Sequence, residues 1–143
     1  MSAETTTGLL VLRVLTPEGS ILEGDVHEVS LPGSEGELGV LPSHAALLTK
    51  IIPGPLAYRA PEGQGVIVLG RGVAEVREDR VTVLVERAIP AEDIDAAALD
   101  ARRKQLLAER DTGLPEQRVE AIDEELALID VQLRVARPGD TAH

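Results

Sequence analysis

The hydrophobic period of this chain changes at Ile89-Pro90, and that switch constrains its fold more than any single motif. From Gly8 to Glu86 short β-branched runs alternate with turn residues. Gly8–Leu15 stops at Thr16-Pro17-Glu18-Gly19, and Asp25–Leu31 stops at Pro32-Gly33. Further breaks fall at Pro42-Ser43, Pro53-Gly54-Pro55, Pro61-Glu62-Gly63 and Gly70-Arg71-Gly72. Val73–Arg77 and Arg80–Glu86 flank Glu78-Asp79, a two-residue hairpin connection, and the second arm puts Val81, Val83 and Val85 on one face. Strands this short, with turns at such regular intervals, describe an antiparallel sandwich or barrel.

After Ile89-Pro90 the spacing is helical. Asp93 is suited to cap a helix through Ile94, Leu99 and Leu106, rich in Ala96, Ala97, Ala98 and Ala101. Asp111-Thr112-Gly113 breaks it, and Pro115 suits the first turn of a second helix. Val119, Ile122, Leu126, Ile129 and Leu133 then form a heptad seam that must face something apolar. Pro138-Gly139 ends this helix. The expected fold is therefore α+β: an N-terminal antiparallel β-sandwich of about ten strands over 1–89, then an antiparallel two-helix hairpin over 90–143. Two helices alone are marginal, because most helical stability comes from tertiary packing. The hairpin must lie on the sandwich, on a partner, or on each at different times.

Composition removes whole function classes. With no Cys, disulfides, thiolate zinc sites and cysteine nucleophiles are excluded. With no Phe or Trp and a single Tyr58, the core is built of Val, Leu, Ile and Ala, and base-stacking platforms are absent. A net charge of -11 opposes a nucleic-acid partner. The longest apolar runs are about four residues, as in Leu9–Leu12 and Val66–Leu69, far below the roughly 20 residues that span a bilayer. The N-terminus has no basic region followed by an apolar stretch, so cytoplasmic residence without bilayer insertion is expected.

No catalytic constellation stands out. Gly33-Ser34-Glu35-Gly36-Glu37-Leu38-Gly39 lacks the Lys-Ser/Thr of a phosphate loop, and its two carboxylates would repel phosphate; it reads as a loop or an acidic contact. His27, His44 and His143 share no metal-ligand spacing, His27 reading as a sheet residue and His44 as a turn residue. Glu92, Asp93 and Asp95 suit a helix start. Arg102-Arg103-Lys104 and Arg110 make the first helix basic, while Glu116, Glu120, Asp123, Glu124, Glu125 and Asp130 make the second acidic. That pattern fits either mutual attraction within the hairpin or a basic stripe seeking an acidic partner.

Gly33–Gly39, followed by Val40-Leu41-Pro42-Ser43-His44-Ala45-Ala46-Leu47-Leu48-Thr49, resembles the epsilon subunit of bacterial F-type ATP synthases. Val68–Val76, Val81–Leu84 and Ala91–Asp95 match further blocks in order, so the resemblance runs from about residue 8 to about residue 136. It implies a non-catalytic central-stalk subunit without cofactor, peripheral at the cytoplasmic face of the bacterial inner membrane. In that family the sandwich holds the gamma subunit and touches the c-ring. The resemblance makes Glu35, Gly36 and Glu37 the c-ring contact, and His44, Ala45 and Leu47 the gamma contact. It also implies that the hairpin, extended toward the alpha/beta head, restrains ATP hydrolysis through Arg102, Arg103, Lys104 and Arg110. Some members bind ATP through Ile/Leu-Asp-x-x-Arg-Ala. Here Ile94-Asp95-Ala96-Ala97 is followed by Ala98-Leu99, so the guanidinium is missing, and only Arg102 one turn later offers a substitute. An ATP-sensing lid is the alternative reading.

Overall fold

The computed structural model describes residues 8–137. Its strands are β1 (Leu10–Thr16), β2 (Gly19–Val26), β3 (Glu28–Gly33), β4 (Gly36–Val40), β5 (Leu47–Ile51), β6 (Gly54–Ala60), β7 (Gly63–Leu69), β8 (Gly72–Arg77), β9 (Arg80–Val85) and β10 (Ala88–Pro90). A 3-10 turn over Ala91–Asp93 leads to α1 (Ala96–Arg110) and α2 (Glu116–Ala136). The chain divides into two compact units at Pro90/Ala91.

The ten strands pair in the order β10-β7-β6-β3-β5-β8-β9-β1-β2, with β4 also on β3. Only Gly33↔Ile51 joins β3 to β5, so the sheet folds there into two layers. Alternation decides which side chains enter. Leu10, Leu12 and Val14 of β1, Val29 and Leu31 of β3, Ala74 and Val76 of β8, and Val81, Val83 and Val85 of β9 are all buried in one core. That core is aliphatic, with Tyr58 at its edge. Every ladder is antiparallel except β1–β9, which is parallel from Val11↔Arg80 to Leu15↔Leu84. Local pattern carries no trace of this pairing, because it joins strands far apart in the chain.

Three local expectations change. Asp25–Leu31 is not one strand: His27 bends the chain between β2 and β3. Val26 and Val29 are both buried, and their odd separation breaks strict alternation, so a bend is required. Pro32-Gly33 does not stop β3, which runs through Gly33 into a two-residue turn, Ser34-Glu35, closed by Gly33↔Gly36. Gly36 stands at φ 120°, a conformation that requires glycine. Asp95 rather than Asp93 caps α1, its carboxylate accepting the Ala98 N–H at 3.1 Å, because Asp93 is taken up in the 3-10 turn. Pro115 stands at the cap of α2, one residue ahead of the helix. Pro138-Gly139 lies outside the described residues.

Within the second unit Leu106, Ile122 and Ile129 are fully enclosed, with Leu99, Leu114, Leu126 and Leu133 packed around them. Four of the five expected seam positions are in this cluster; Val119 is half-buried outside it. Gly113 at φ 79° makes the turn that reverses the chain.

Candidate partner-binding surfaces

The β3–β4 hairpin ends in Ser34-Glu35 because only a tight turn joins two strands paired down to Gly33↔Gly36. Glu35, Gly36 and Glu37 are all exposed at this tip. Ser30 Oγ, on the neighbouring strand, donates to Glu37 Oε2, which fixes the direction of that carboxylate. The Ser34 N–H donates to the Lys50 carbonyl at 3.0 Å and ties the tip to the end of β5.

At the other end of β4, Leu41-Pro42-Ser43-His44 forms a turn in which the His44 N–H donates to the Leu41 carbonyl at 3.2 Å. Pro42 presets the second position and Ser43 takes φ 71° at the third. His44 Nδ1 lies 2.7 Å from the Ala45 carbonyl. Ala45 is exposed and His44 half-buried. Leu47 turns inward against the core, whereas Leu48 is 72% exposed. Three residues of β4, Leu38, Gly39 and Val40, lie between the acidic group and the turn that carries the second group, a strand length of roughly 10 Å.

Two depressions flank these ends. An open groove of about 690 Å³ beside the acidic tip is lined by Leu15, Ile52, Val73 and Leu84, with Lys50 and Arg71 at its polar margin. Leu84 and Val73 are 48% and 39% exposed and oppose one another across β8–β9. In sequence these apolar residues are masked by the inward valines Val81, Val83 and Val85 of the same hairpin. The available signal was Leu84, an apolar residue on the outward phase of β9. The second depression, about 380 Å³, is lined by Leu41, Tyr58, Arg59 and Gln64.

The charged residues of the hairpin pair across it. Arg102 donates from Nε and Nη2 to Glu125 at 2.8 and 3.1 Å. Arg103 donates to Asp130 at 3.0 Å, and Arg110 donates twice to Asp123, at 2.7 and 3.2 Å. Arg118 reaches back to Glu109 and Arg137 to Asp100, at 2.8 and 2.7 Å. Lys104 is exposed, and its charge acts on Asp100. The hydrogen bond from Arg137 holds the Asp100 carboxyl below its ordinary value, and Arg110 does the same for Asp123. In return Glu125 raises Arg102 and Asp123 raises Arg110.

Among the described residues no helix is long and apolar enough to cross a membrane, and no group of three or more His, Asp or Glu side chains is placed to hold a metal ion. Asp95 is engaged as a helix cap, and Ala98 offers no cation beside it.

A family model described as the ATP synthase delta/epsilon chain β-sandwich domain matches residues 9–91. An ATP synthase epsilon chain from Bordetella avium is 41% identical over 135 residues, covering 91% of this chain and 95% of that one. Another, from a Nitratiruptor species, is 48% identical over 84 residues, 58% of this chain and 65% of its own length. Among solved structures, the Euglena gracilis mitochondrial ATP synthase (OSCP, F1 and c-ring) contains a chain that superposes with a TM-score of 0.76 at 22% identity, over 95% of this chain and 82% of that one. A Tetrahymena thermophila central stalk and c-ring structure gives 0.57 at 15% identity, over 89% and 96%. At those identities the structures speak for the fold alone. The sequence matches carry the assignment, and the chain belongs to the ATP synthase epsilon chain family.

Proposed function

We propose that this protein is a non-catalytic rotor subunit of a proton-translocating F-type ATP synthase, joining the gamma subunit to the c-ring and restraining ATP hydrolysis through its helices. The observation that carries the reading is the 41%-identical epsilon chain matched over 91% of this sequence, hairpin included. An exposed acidic turn and a partly exposed turn, near opposite ends of β4, support it. Glu35, Gly36 and Glu37 meet the polar loops of the c-ring, an interface that an acidic turn enters without costly burial. His44 and Ala45, with Leu47 behind them and Leu48 outward, meet gamma. Arg102, Arg103, Lys104 and Arg110 are the cations offered to an acidic surface of the alpha/beta head. The subunit works peripherally, on the cytoplasmic face of the bacterial inner membrane.

Removing residues 90–143 tests the proposal: the truncated subunit still assembles with gamma and the complex hydrolyses ATP faster. Unchanged hydrolysis refutes the inhibitory role, and failure to co-purify with gamma refutes the rotor role. The alternative, an ATP-sensing lid, lacks its arginine at Ala98 and finds Asp95 already bonded to the helix backbone.

A further inference from the structure

Two turns at one end of the sandwich place non-glycine residues in the left-handed region. Ser43 occupies φ 71° in the Leu41–His44 turn, where glycine fits without steric cost. Glu78 and Asp79 occupy φ 53° and 61° in the β8–β9 hairpin, whose two-residue connection favours Asn-Gly. These two departures are bonded to one another across 36 residues of chain, for the Ser43 N–H donates to Asp79 Oδ1 at 2.6 Å. The carbonyl of Asp79 also accepts the Val11 N–H at 2.9 Å, so the anchor is itself held to β1.

We propose that Asp79 is a positioning residue for the partner contact: its carboxylate holds Ser43 in the left-handed conformation and so presents Leu41 and His44 in fixed geometry. This rests on the reading that His44 and Ala45 meet gamma, and it adds Leu41, which opens the same turn. Leu41 is 56% exposed and forms one wall of the depression shared with Tyr58, Arg59 and Gln64. Its direction depends on the turn that follows it. A serine left to itself populates the left-handed region about 5- to 30-fold less than the right-handed one. A short hydrogen bond to a carboxylate restores the balance, since charge-assisted bonds are about twice as strong as neutral ones. Without Asp79 the competent turn becomes a minor conformer, and partner affinity falls by the fraction lost.

The test uses the full chain and the purified gamma subunit. Asp79→Gly removes the acceptor yet suits the hairpin turn, so folding is preserved. We expect the Ser43 amide to exchange faster with solvent, and the Kd for gamma to rise at least about fivefold. Asp79→Asn, which keeps an acceptor oxygen and tolerates positive φ but gives up the charge, falls between wild type and Asp79→Gly. Adding Ser43→Gly to Asp79→Gly recovers most of the lost affinity, a rescue that a merely structural role for Asp79 does not produce. Unchanged Ser43 exchange in Asp79→Gly overturns the proposal. So does unchanged affinity in that variant while Leu41→Ala weakens binding, a result that leaves the gamma reading intact. If Leu41→Ala and His44→Ala also leave affinity unchanged, the gamma reading of this loop fails, and the proposal with it.

Discussion

Replacing Ile122 by alanine removes three carbons from the centre of the hairpin. The side chain is fully buried and shares its cluster with only two other enclosed residues, Leu106 and Ile129. Lost transfer free energy is about 2.4 kcal/mol at ~0.8 kcal/mol per methylene. The cavity left between α1 and α2 adds to this, and the better helix propensity of alanine returns about 0.4 kcal/mol. The net loss is about 3 kcal/mol, which raises the opening equilibrium of the hairpin roughly 100-fold. Hydrogen exchange resolved by residue reads this directly: α1 and α2 amides speed up by that factor. Leu107→Ala is the control, since Leu107 is 38% exposed and one position off the seam; its effect stays within about 0.5 kcal/mol. Equal effects of the two substitutions refute the seam.

In acid the hairpin loosens. Asp100 and Asp123 titrate below their ordinary value because Arg137 and Arg110 bond them, so their stabilisation is complete above pH ~4 and is lost as pH falls through the folded values; helix amides protected more strongly at pH 3 than at pH 6 would contradict this. Gly72→Ala destabilises the sandwich by at least about 2 kcal/mol, a fall in Tm of roughly 8 °C or more, because its new Cβ would meet backbone, with the Val85 Cα at 2.6 Å. A melting curve within ~2 °C of wild type sinks that expectation. Calorimetry of the isolated subunit with ATP gives no heat at micromolar concentration, since Ala98 supplies no guanidinium; a micromolar Kd overturns it. Glu37→Lys weakens coupling between the soluble head and the membrane sector, read as ATP-driven proton pumping, and normal pumping removes Glu37 from the contact.

What could be read from sequence were the features encoded locally. The Glu78-Asp79 hairpin was legible because its flanking valines alternate, and the seam because Ile122, Leu126, Ile129 and Leu133 repeat at helical spacing. The parallel β1–β9 ladder was not, since it joins residues some seventy positions apart. The choice of Asp95 over Asp93 as cap depended on where a 3-10 turn ended, a difference of two residues that propensity does not resolve. Asp79 as a partner of Ser43 was invisible for the same reason as the parallel ladder: the contact exists only once the sheet has folded. Two adjacent leucines, Leu47 and Leu48, leave the phase of β5 undecided in sequence; the pairing of Leu47 with Val76 turns Leu47 inward and leaves Leu48 exposed.

The basic stripe illustrates how far charge pattern alone reaches. Both of its readings use the same guanidiniums, and a guanidinium forked onto one carboxylate pair is not available to a second. Arg102 on Glu125 and Arg110 on Asp123 are each bonded through two nitrogens. These pairs stand about 35–50% exposed, where each is worth little alone and is weakened by salt. A partner carboxylate can therefore replace the internal one at small net cost, provided it is offered in similar geometry. The seam of Leu106, Ile122 and Ile129 cannot be exchanged so cheaply, because its burial has no substitute in water. Internal pairing thus offsets part of the acidic charge of the closed hairpin, whereas the aliphatic seam sets the free energy of opening it. Added salt should then alter the exchange of guanidinium partners well before it alters helix protection.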